Sequence, residues 1–260
     1  MDKRAAAQRG GLARIRMHGN PGTADGRRLG GIRSAAIQKK QSTGFVTLRA
    51  ISFPRESVVL AELLGILAGD GHVSEYQVSV TTNSDTDKEH AEYVQALLKK
   101  LFVVPVSCIA KKNKKAFVVY LSSREVVRFL IAKGAVKGHK IRGGVCMPPW
   151  IRTRKSYRIA FLRGLFDTDG SVYVDTHRIN ARMYKNIGMA FTNRSAPLLE
   201  DFRQSLSTLG LHPTQKTKYT VFLRREGDIR QYFEVVGSSN PKHLRKIALY
   251  FSTKKTGGVA

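Results

Sequence analysis

The sequence is poor in acidic residues and in cysteine, and each shortage narrows the classes of protein it can represent. Only 19 Asp and Glu stand against 45 Lys and Arg in 260 residues, so the formal net charge is +26. An excess of this size indicates a polyanionic partner. The two cysteines, Cys108 and Cys146, have no Cys or His neighbour at the C-x-x-C spacing of a zinc site, and we interpret both as reduced thiols.

Long apolar runs are also lacking. No run approaches the roughly 20 residues of a membrane span, and the basic residues are spread along the chain instead of marking one amphipathic face. Residues 1–7 lack the apolar core of a secretory signal. We therefore expect nucleic acid as the partner, no membrane, and an intracellular location at the DNA, in cytoplasm or nucleoid. The Arg-rich, acid-poor start is also compatible with an organelle.

Residues 1–44 differ in composition from the remainder of the chain. They are rich in Gly, Ala, Arg and Lys, carry only Asp2 and Asp25 as acids, and show little apolar periodicity. We interpret them as a basic N-terminal extension outside the core. Two readings stay open and are compatible with each other: a disordered tail, and an arm that follows a DNA backbone.

An internal repeat organises the chain beyond residue 56. Residues 63–71, LLGILAGDG, return as residues 162–170, LRGLFDTDG. Each copy is followed by an alternating run that predicts a strand, a helical segment, a further strand and a second helix closed by a glycine. These predicted segments are residues 78–83, 86–102, 116–121 and 125–133 in the first copy, and 188–193, 196–209, 219–223 and 228–236 in the second.

The repeat predicts a duplicated α+β fold with pseudo-twofold symmetry. We place the first half at 45–142, a linker at 143–156, the second half at 157–252 and a C-terminal tail at 253–260. The linker contains two glycines and a Pro-Pro pair. We expect Trp150 to pack the linker against the core.

The repeated nine-residue segment contains the residues that indicate a metal site. Gly65 and Gly164 lack side chains, so two such helices can approach closely and place Asp70 and Asp169 together at paired helix C-termini, where the macrodipole is already negative. Two carboxylates there repel each other unless cations bind, and hard divalent ions prefer such oxygen ligands. We expect the glycines that follow each aspartate, Gly71 and Gly170, to end the helices in the left-handed conformation.

On these two nine-residue segments the sequence resembles the LAGLIDADG homing endonuclease family. The motifs lie about 99 residues apart and head parallel repeats that cover the chain apart from its ends. The resemblance implies a monomer with the motif helices paired between the halves. It also implies that each half contributes a curved antiparallel sheet, backed by helices, to the major groove of double-stranded DNA.

The resemblance further implies the activity. Asp70 and Asp169 match the family's catalytic metal ligands, and the backbone carbonyls of Gly69 and Thr168 match its further ligands, for two or three Mg²⁺ ions. The implied function is a site-specific double-strand DNA endonuclease that hydrolyses phosphodiester bonds and leaves short 3′ overhangs. We expect a free-standing, intron-encoded protein.

The sequence departs from the family's pattern in two places. Asp167 in the second motif has Ala68 as its counterpart, and we expect Asp167 to be structural and not a ligand. At the positions where many members carry a Lys or Gln to organise water, this chain has Thr-Asn. The candidates for the periphery of the active site are Asn83, Asn193, Arg194 and Lys185.

Specificity is expected from side chains on the groove-facing side of the strands, because major-groove base edges carry a distinctive code. The basic run at 111–115 lies in a predicted turn and is expected to touch phosphates. The candidate DNA-binding residues are Tyr76, Gln77, Ser79, Thr81, Lys112, Lys114, Lys115, Tyr173, Asn180, Arg182, Asn186, Lys216, Lys218, Arg224 and Arg225.

Two other functions remain open on the same scaffold. Some proteins with these motifs assist splicing, so an intron RNA maturase is one alternative. A DNA-binding regulator that does not cleave is the other. Loss of either motif aspartate would favour the regulator, and both are present.

Overall fold

The computed structural model describes residues 11–17, 22–41, 51–111, 114–180 and 182–256. It divides into two compact units, residues 1–50 and residues 51–260. The first unit contains helix α1 (11–17) and helix α2 (Ala24–Gln41). Thr23 begins α2, since its hydroxyl accepts a hydrogen bond from the Gly26 amide at 3.0 Å.

No pattern in the sequence predicted α1 or α2. Both are exposed along nearly all of their described length. The Ala, Arg, Lys and Gln residues of α2 favour a helix intrinsically, but they form no apolar stripe for a pattern search to detect.

The second unit consists of two similar halves joined by a connecting segment. The first half contains α3 (Val58–Gly69), β1 (Gly71–Val73), β2 (Gln77–Asn83), α4 (Lys88–Phe102), β3 (Ser107–Lys111), β4 (Ala116–Ser122) and α5 (Arg124–Ala132). The connection includes the short α6 (Pro149–Arg152). The second half contains α7 (Lys155–Asp169), β5 (Gly170–Ile179), β6 (Arg182–Thr192), α8 (Ala196–Thr208), β7 (Thr214–Thr217), β8 (Thr220–Leu223), α9 (Glu226–Val235) and α10 (Pro241–Thr256).

Each half builds a four-stranded antiparallel sheet with the same strand order. The orders are β1-β2-β4-β3 and β5-β6-β8-β7. The duplicated α+β fold predicted from the repeat is therefore confirmed. The last helix, α10, continues past residue 252 to Thr256, through the position where the sequence analysis began a tail.

The core is one continuous apolar cluster that crosses both halves. Residues 60–69 of α3 are all buried, which explains why this helix is apolar on every side apart from Glu62. One face of each sheet packs on the core: Val78 and Val80 of β2 are fully buried, and Ile187 and Met189 of β6 are nearly so. The alternate residues of these strands face away from the core, and we call that side of each sheet its open face.

Serine side chains define several helix starts. Ser57, Ser123 and Ser195 each accept a hydrogen bond from the amide three residues later, at 3.2 to 3.4 Å. Gly134 and Gly237 have positive φ angles of 106° and 72°, which confirms the predicted glycine stops after α5 and α9.

The prediction that Gly71 and Gly170 adopt the left-handed conformation was wrong. Gly170 has φ −90° and ψ 156°, which is extended backbone, and Gly71 is not among the glycines with positive φ. Crowding by neighbouring atoms explains why both positions require glycine. A Cβ at Gly71 would lie 2.6 Å from the Leu67 carbonyl oxygen, and one at Gly170 would meet the ring and carbonyl of Phe166.

Trp150 packs as predicted. Its indole N–H donates to the Lys133 carbonyl at 3.0 Å, and its ring contacts Tyr157 edge to face. None of the helices within the described ranges is long and apolar enough to cross a membrane.

Candidate active site at the paired helix ends

The helices α3 and α7 touch backbone to backbone at Gly65 and Gly164. A Cβ added at Gly65 would lie 2.9 Å from the Leu165 amide nitrogen and closer still to the Phe161 carbonyl oxygen. A Cβ at Gly164 would meet Ile66 and Glu62 in the corresponding way. The close approach predicted from the two glycines is confirmed.

This approach brings the C-terminal ends of the two helices together. A Cβ at Gly69 would lie 2.8 Å from the Thr168 Cβ and 3.3 Å from Oδ2 of Asp169. Asp169 is the last residue of α7, and Asp70 directly follows α3. Asp70 is exposed and Asp169 is half-buried, so the pair remains open to solvent on one side.

Both carboxylates are less favourable in their ionised form than an ordinary aspartate. Desolvation by the surrounding protein raises the pKa of Asp169 to about 6, and the nearby negative charge of Asp70 adds to that rise. Desolvation also raises the pKa of Asp70, against the opposing effect of Lys140 and Lys242. Two acids held in an unfavourable ionised state bind a compensating cation well, because the cation removes the repulsion.

Lys140 supplies part of that compensation, and the sequence analysis missed it. Its ammonium donates a hydrogen bond to the Gly69 carbonyl, and its charge lowers the pKa of both aspartates. Desolvation in turn lowers the pKa of Lys140 itself. Lys140 lies in the irregular segment between α5 and α6, where no periodic pattern predicts which side chains point inward.

Asn193 and Asn83 occupy equivalent places but make different contacts. In each, Oδ1 accepts a hydrogen bond at 2.8 Å from the amide two residues later, which fixes the turn after the strand. Asn193 Nδ2 also donates to Asp169 Oδ2 at 2.7 Å. Asn83 makes no such bond to Asp70 within the described part of the chain. The two carboxylates are therefore supported asymmetrically.

The remaining peripheral candidates lie apart from the aspartates. Lys185 precedes Phe191 on β6 by six residues, a distance of about 20 Å along a strand. Its side chain shares the face of Ile187 and so points away from the open face. Arg194 is exposed beside Asn193 and contacts neither aspartate in the described structure. Thr168, the other residue expected to offer a carbonyl, directs its hydroxyl back to the Leu165 carbonyl at 2.9 Å.

Asp167 is buried behind the site and anchors the segment that leads into α10. It is 1% exposed and accepts hydrogen bonds from the Ser238 hydroxyl and from the Ser239 amide, the latter at 2.7 Å. Asn240 Nδ2 then donates to Asp87 Oδ1 at 2.9 Å and to the Asp167 carbonyl at 3.1 Å. These bonds tie the second half to the first.

Lys242 lies directly after that segment, in the first turn of α10. Its ammonium lies 2.9 Å from Asp87 Oδ1, and its charge also lowers the pKa of Asp70. Across the helix pair, Arg163 of α7 bonds Glu62 of α3 at 3.2 Å. Neither contact was foreseen, because each joins residues that are remote in the sequence.

Most DNA-binding candidates lie on the open faces or at their edges. Gln77, Ser79 and Thr81 alternate with the buried residues of β2, and Tyr173, Arg182 and Asn186 lie on the open face of β5 and β6. Arg224 stacks over the Phe222 ring, 4.8 Å from its centroid. The others are exposed in turns or at strand ends: Tyr76, Lys114, Lys115, Asn180, Lys216, Lys218 and Arg225. Lys112 lies outside the described residues.

Comparison with known proteins identifies the class. The family model of the LAGLIDADG-like domain matches residues 57–132 and 156–247, so the chain belongs to that family. Among solved structures, it is similar to the I-LtrWI LAGLIDADG homing endonuclease bound to target DNA, with a TM-score of 0.54, 11% identity, and coverage of 77% of this chain and 91% of that one.

One further solved structure and one curated protein are also similar to this chain. The structure of I-SmaMI bound to an uncleaved DNA target with calcium ions gives a TM-score of 0.53 at 16% identity, covering 77% of this chain and 93% of that one. A curated relative, the replication factor C small subunit of Methanocaldococcus jannaschii, is 25% identical over 199 residues, or 72% of this chain. The chain spans about 10% of the length of that relative.

The donor set at the helix ends fits a hard divalent cation. Its two carboxylates offer oxygen ligands, and the Gly69 carbonyl accepts a hydrogen bond from Lys140. Among the described residues, no group of three or more His, Cys, Asp and Glu side chains is placed to hold a metal ion, so a cation here would need oxygen ligands besides the two carboxylates. Mg²⁺ commonly fills such positions with water and with oxygens of a substrate phosphate.

Proposed function

We propose that this protein is a monomeric, divalent-metal-dependent endonuclease that cuts both strands of duplex DNA at a specific site. The observation that carries the proposal is the pairing of Asp70 with Asp169 at the ends of two helices in direct contact, each followed by the first strand of a sheet, in a chain with a net charge of +26. One chain supplies both acids through the α3 and α7 interface, so no second copy is required.

Asp70 and Asp169 would hold Mg²⁺, with the carbonyls of Gly69 and Thr168 as the candidate further ligands. When bound, Mg²⁺ would lower the pKa of a water molecule and stabilise charge on the scissile phosphate and the departing 3′ oxygen. In the reaction, water adds to phosphorus and the P–O3′ bond breaks. The products carry a 3′ hydroxyl and a 5′ phosphate, on strands expected to end in short 3′ overhangs.

The chain's own residues position these groups. Asn193 orients the Asp169 carboxylate through its 2.7 Å hydrogen bond. Lys140 holds a positive charge against the Gly69 carbonyl and close to both acids. We propose that its ammonium moves from that carbonyl to the phosphate when DNA and Mg²⁺ bind, because a cation at the carbonyl would oppose Mg²⁺ there. Calcium in the I-SmaMI complex with DNA supports the use of divalent ions.

The test is cleavage of supercoiled plasmid that carries the joined flanks of the host gene, with Mg²⁺ or with EDTA. The wild type is expected to give linear product only with Mg²⁺. Asp70→Asn and Asp169→Asn are each expected to give at most nicked circles, because each acid serves one strand. Glu125→Gln is the matched control: this exposed acid pairs with Arg128 at 2.8 Å on α5 and lies outside the paired aspartates.

Binding of that DNA without cleavage in every divalent metal would refute the nuclease and favour a regulator. Cleavage that survives both substitutions would refute the roles of the two aspartates.

A further inference from the structure

The two sheets differ most in their first hairpin. Strands β5 and β6 pair over ten residues, from Gly170 with Phe191 to Ile179 with Arg182. The equivalent strands β1 and β2 pair over only three, from Gly71 with Val80 to Val73 with Val78. Both hairpins start directly after a motif aspartate, so the second extends seven pairs further, by about 24 Å at the rise of an antiparallel strand.

We call residues 173–180 and 182–188 the ribbon. Its open face carries a row of residues that are mostly polar or aromatic. Cross-strand partners share a face, so this row contains the pairs Tyr173 with Gly188, Asp175 with Asn186 and His177 with Tyr184. The Tyr173 ring lies directly over Gly188, where a Cβ would come within 2.6 Å of it.

The outer part of the row is ordered by its own contacts. The rings of His177 and Tyr184 stack with centroids 5.9 Å apart and an interplanar angle of 18°. Asp175 lies beside them, with Oδ2 at 3.8 Å from His177 Nδ1 and 66% of its side chain exposed. Asn180 makes the turn at the tip with a φ of 46°.

Helix α10 braces the ribbon from the other face. Lys246 donates to the Val172 carbonyl at 3.1 Å, and the Tyr250 hydroxyl donates to the Lys185 carbonyl at 3.2 Å. Val174, Met183 and Lys185 lie on that face. These hydrogen bonds therefore hold the ribbon from the face toward α10. The side chains of its open face remain accessible to a partner.

We propose that the ribbon is a second-half extension for reading base pairs in the major groove, so that the half-site bound by the second half is longer than the other. A two-stranded β-ribbon fits the major groove, where carboxylates accept from cytosine, Asn pairs with adenine and Arg with guanine. The open row offers these groups in Asp175, Asn186 and Arg182. An extension of about 24 Å corresponds to about seven base-pair steps. This proposal rests on the proposed DNA substrate.

Two matched pairs of variants distinguish contacts to bases from general electrostatic attraction to DNA and from loss of stability. Arg182→Ala and Arg178→Ala each remove one exposed positive charge from neighbouring positions near the ribbon tip, but Arg182 lies on the open face and Arg178 on the other. Tyr184→Ala and Met183→Ala compare two exposed large side chains in the same way. Asn186→Ala tests the row nearer the core.

The experiment is selection of bound duplexes from a randomised pool by the full-length protein, with Ca²⁺ in place of Mg²⁺. The wild type is expected to select a site that extends further on one side of its centre. Arg182→Ala and Tyr184→Ala are expected to relax base preference about tenfold at the outer positions of that longer side only. Arg178→Ala and Met183→Ala are expected to select the wild-type sequence.

Selected sites of equal extent on both sides would overturn this proposal. Equal effects of Arg178→Ala and Arg182→Ala would do the same, because they would indicate general attraction to phosphates. Failure of the wild type to bind any duplex would overturn the proposed function itself, and is thereby distinguishable from a failure of the ribbon alone.

Discussion

Replacing Gly164 by alanine is expected to force α3 and α7 apart and to disturb the paired aspartates. The new Cβ would meet backbone atoms, with the Ile66 amide nitrogen at 2.9 Å and the Glu62 carbonyl oxygen closer still. Backbone atoms cannot rotate away as a flexible side chain can. The helices themselves must therefore separate along their contact.

The size of the effect follows from two opposing contributions. Overpacking of a tight core costs up to about 3 kcal/mol, and this position is at the upper end because its neighbours are backbone. Alanine also favours a helix over glycine by about 1 kcal/mol. The expected net loss in the free energy of unfolding is about 2 kcal/mol.

Urea denaturation and plasmid cleavage measure the two consequences. Gly164→Ala and Gly65→Ala are each expected to lower the urea midpoint and to slow cleavage. Gly227→Ala is the control, since Gly227 lies in α9 and nothing stands within 4 Å of its added Cβ. This change is expected to leave cleavage unchanged and to stabilise the protein slightly.

The double variant gives the decisive result. Gly65 and Gly164 lie at the same helix crossing, so the separation forced by one alanine makes room for the other. We expect the double variant to lose clearly less stability than the sum of the two single losses. Additive losses below about 1 kcal/mol each would refute the idea that backbone contact between these helices sets the site.

Three further predictions concern the charges around the site. The folded-state pKa of Asp169 is about 6, against 3.8 for an ordinary aspartate, so the folded protein binds this proton more tightly than the unfolded chain. In EDTA, its contribution to the free energy of unfolding should therefore fall as pH rises from about 4 to about 6. Urea titrations of wild type and Asp169→Asn should show that fall in their difference. Lys140→Met should shift the pH profile of Mg²⁺-dependent cleavage upward, because the Lys140 charge lowers the pKa of both aspartates. The control Lys137→Met, which removes a surface pair with Glu75, should leave the profile unchanged. Asp167→Ala should lower stability by about 2 to 3 kcal/mol, since it leaves the Ser239 amide without its buried acceptor. Asp167→Asn keeps one acceptor oxygen and should lose less, and urea denaturation of the two variants measures both losses.

The repeat, the motif helices and their two glycines were readable from the sequence because they depend on local rules. Apolar residues at helical spacing indicate the buried face of a helix whichever partner covers it. Gly65 and Gly164 each lie in a helix whose other buried residues are mostly bulky. Close contact with another backbone explains why glycine stands at these positions. For Gly71 and Gly170 the same residue type led to the wrong conformation, since crowding by Leu67 and Phe166 requires glycine as firmly as a positive φ does.

The periphery of the site depended on contacts that no local pattern encodes. Lys140 acts on both aspartates from an irregular segment, and Lys242 acts on Asp70 from the first turn of α10. Asn240 joins Asp87 to Asp167 across the two halves. Lys185 was expected near the site, but the pairing of β5 with β6 places it far along a strand and on the opposite face. The sequence alone thus determined which helices pair and which acids they bring together. The tertiary structure decided which cations and amides surround those acids and how far each sheet extends, because these features depend on distances between segments remote in the chain.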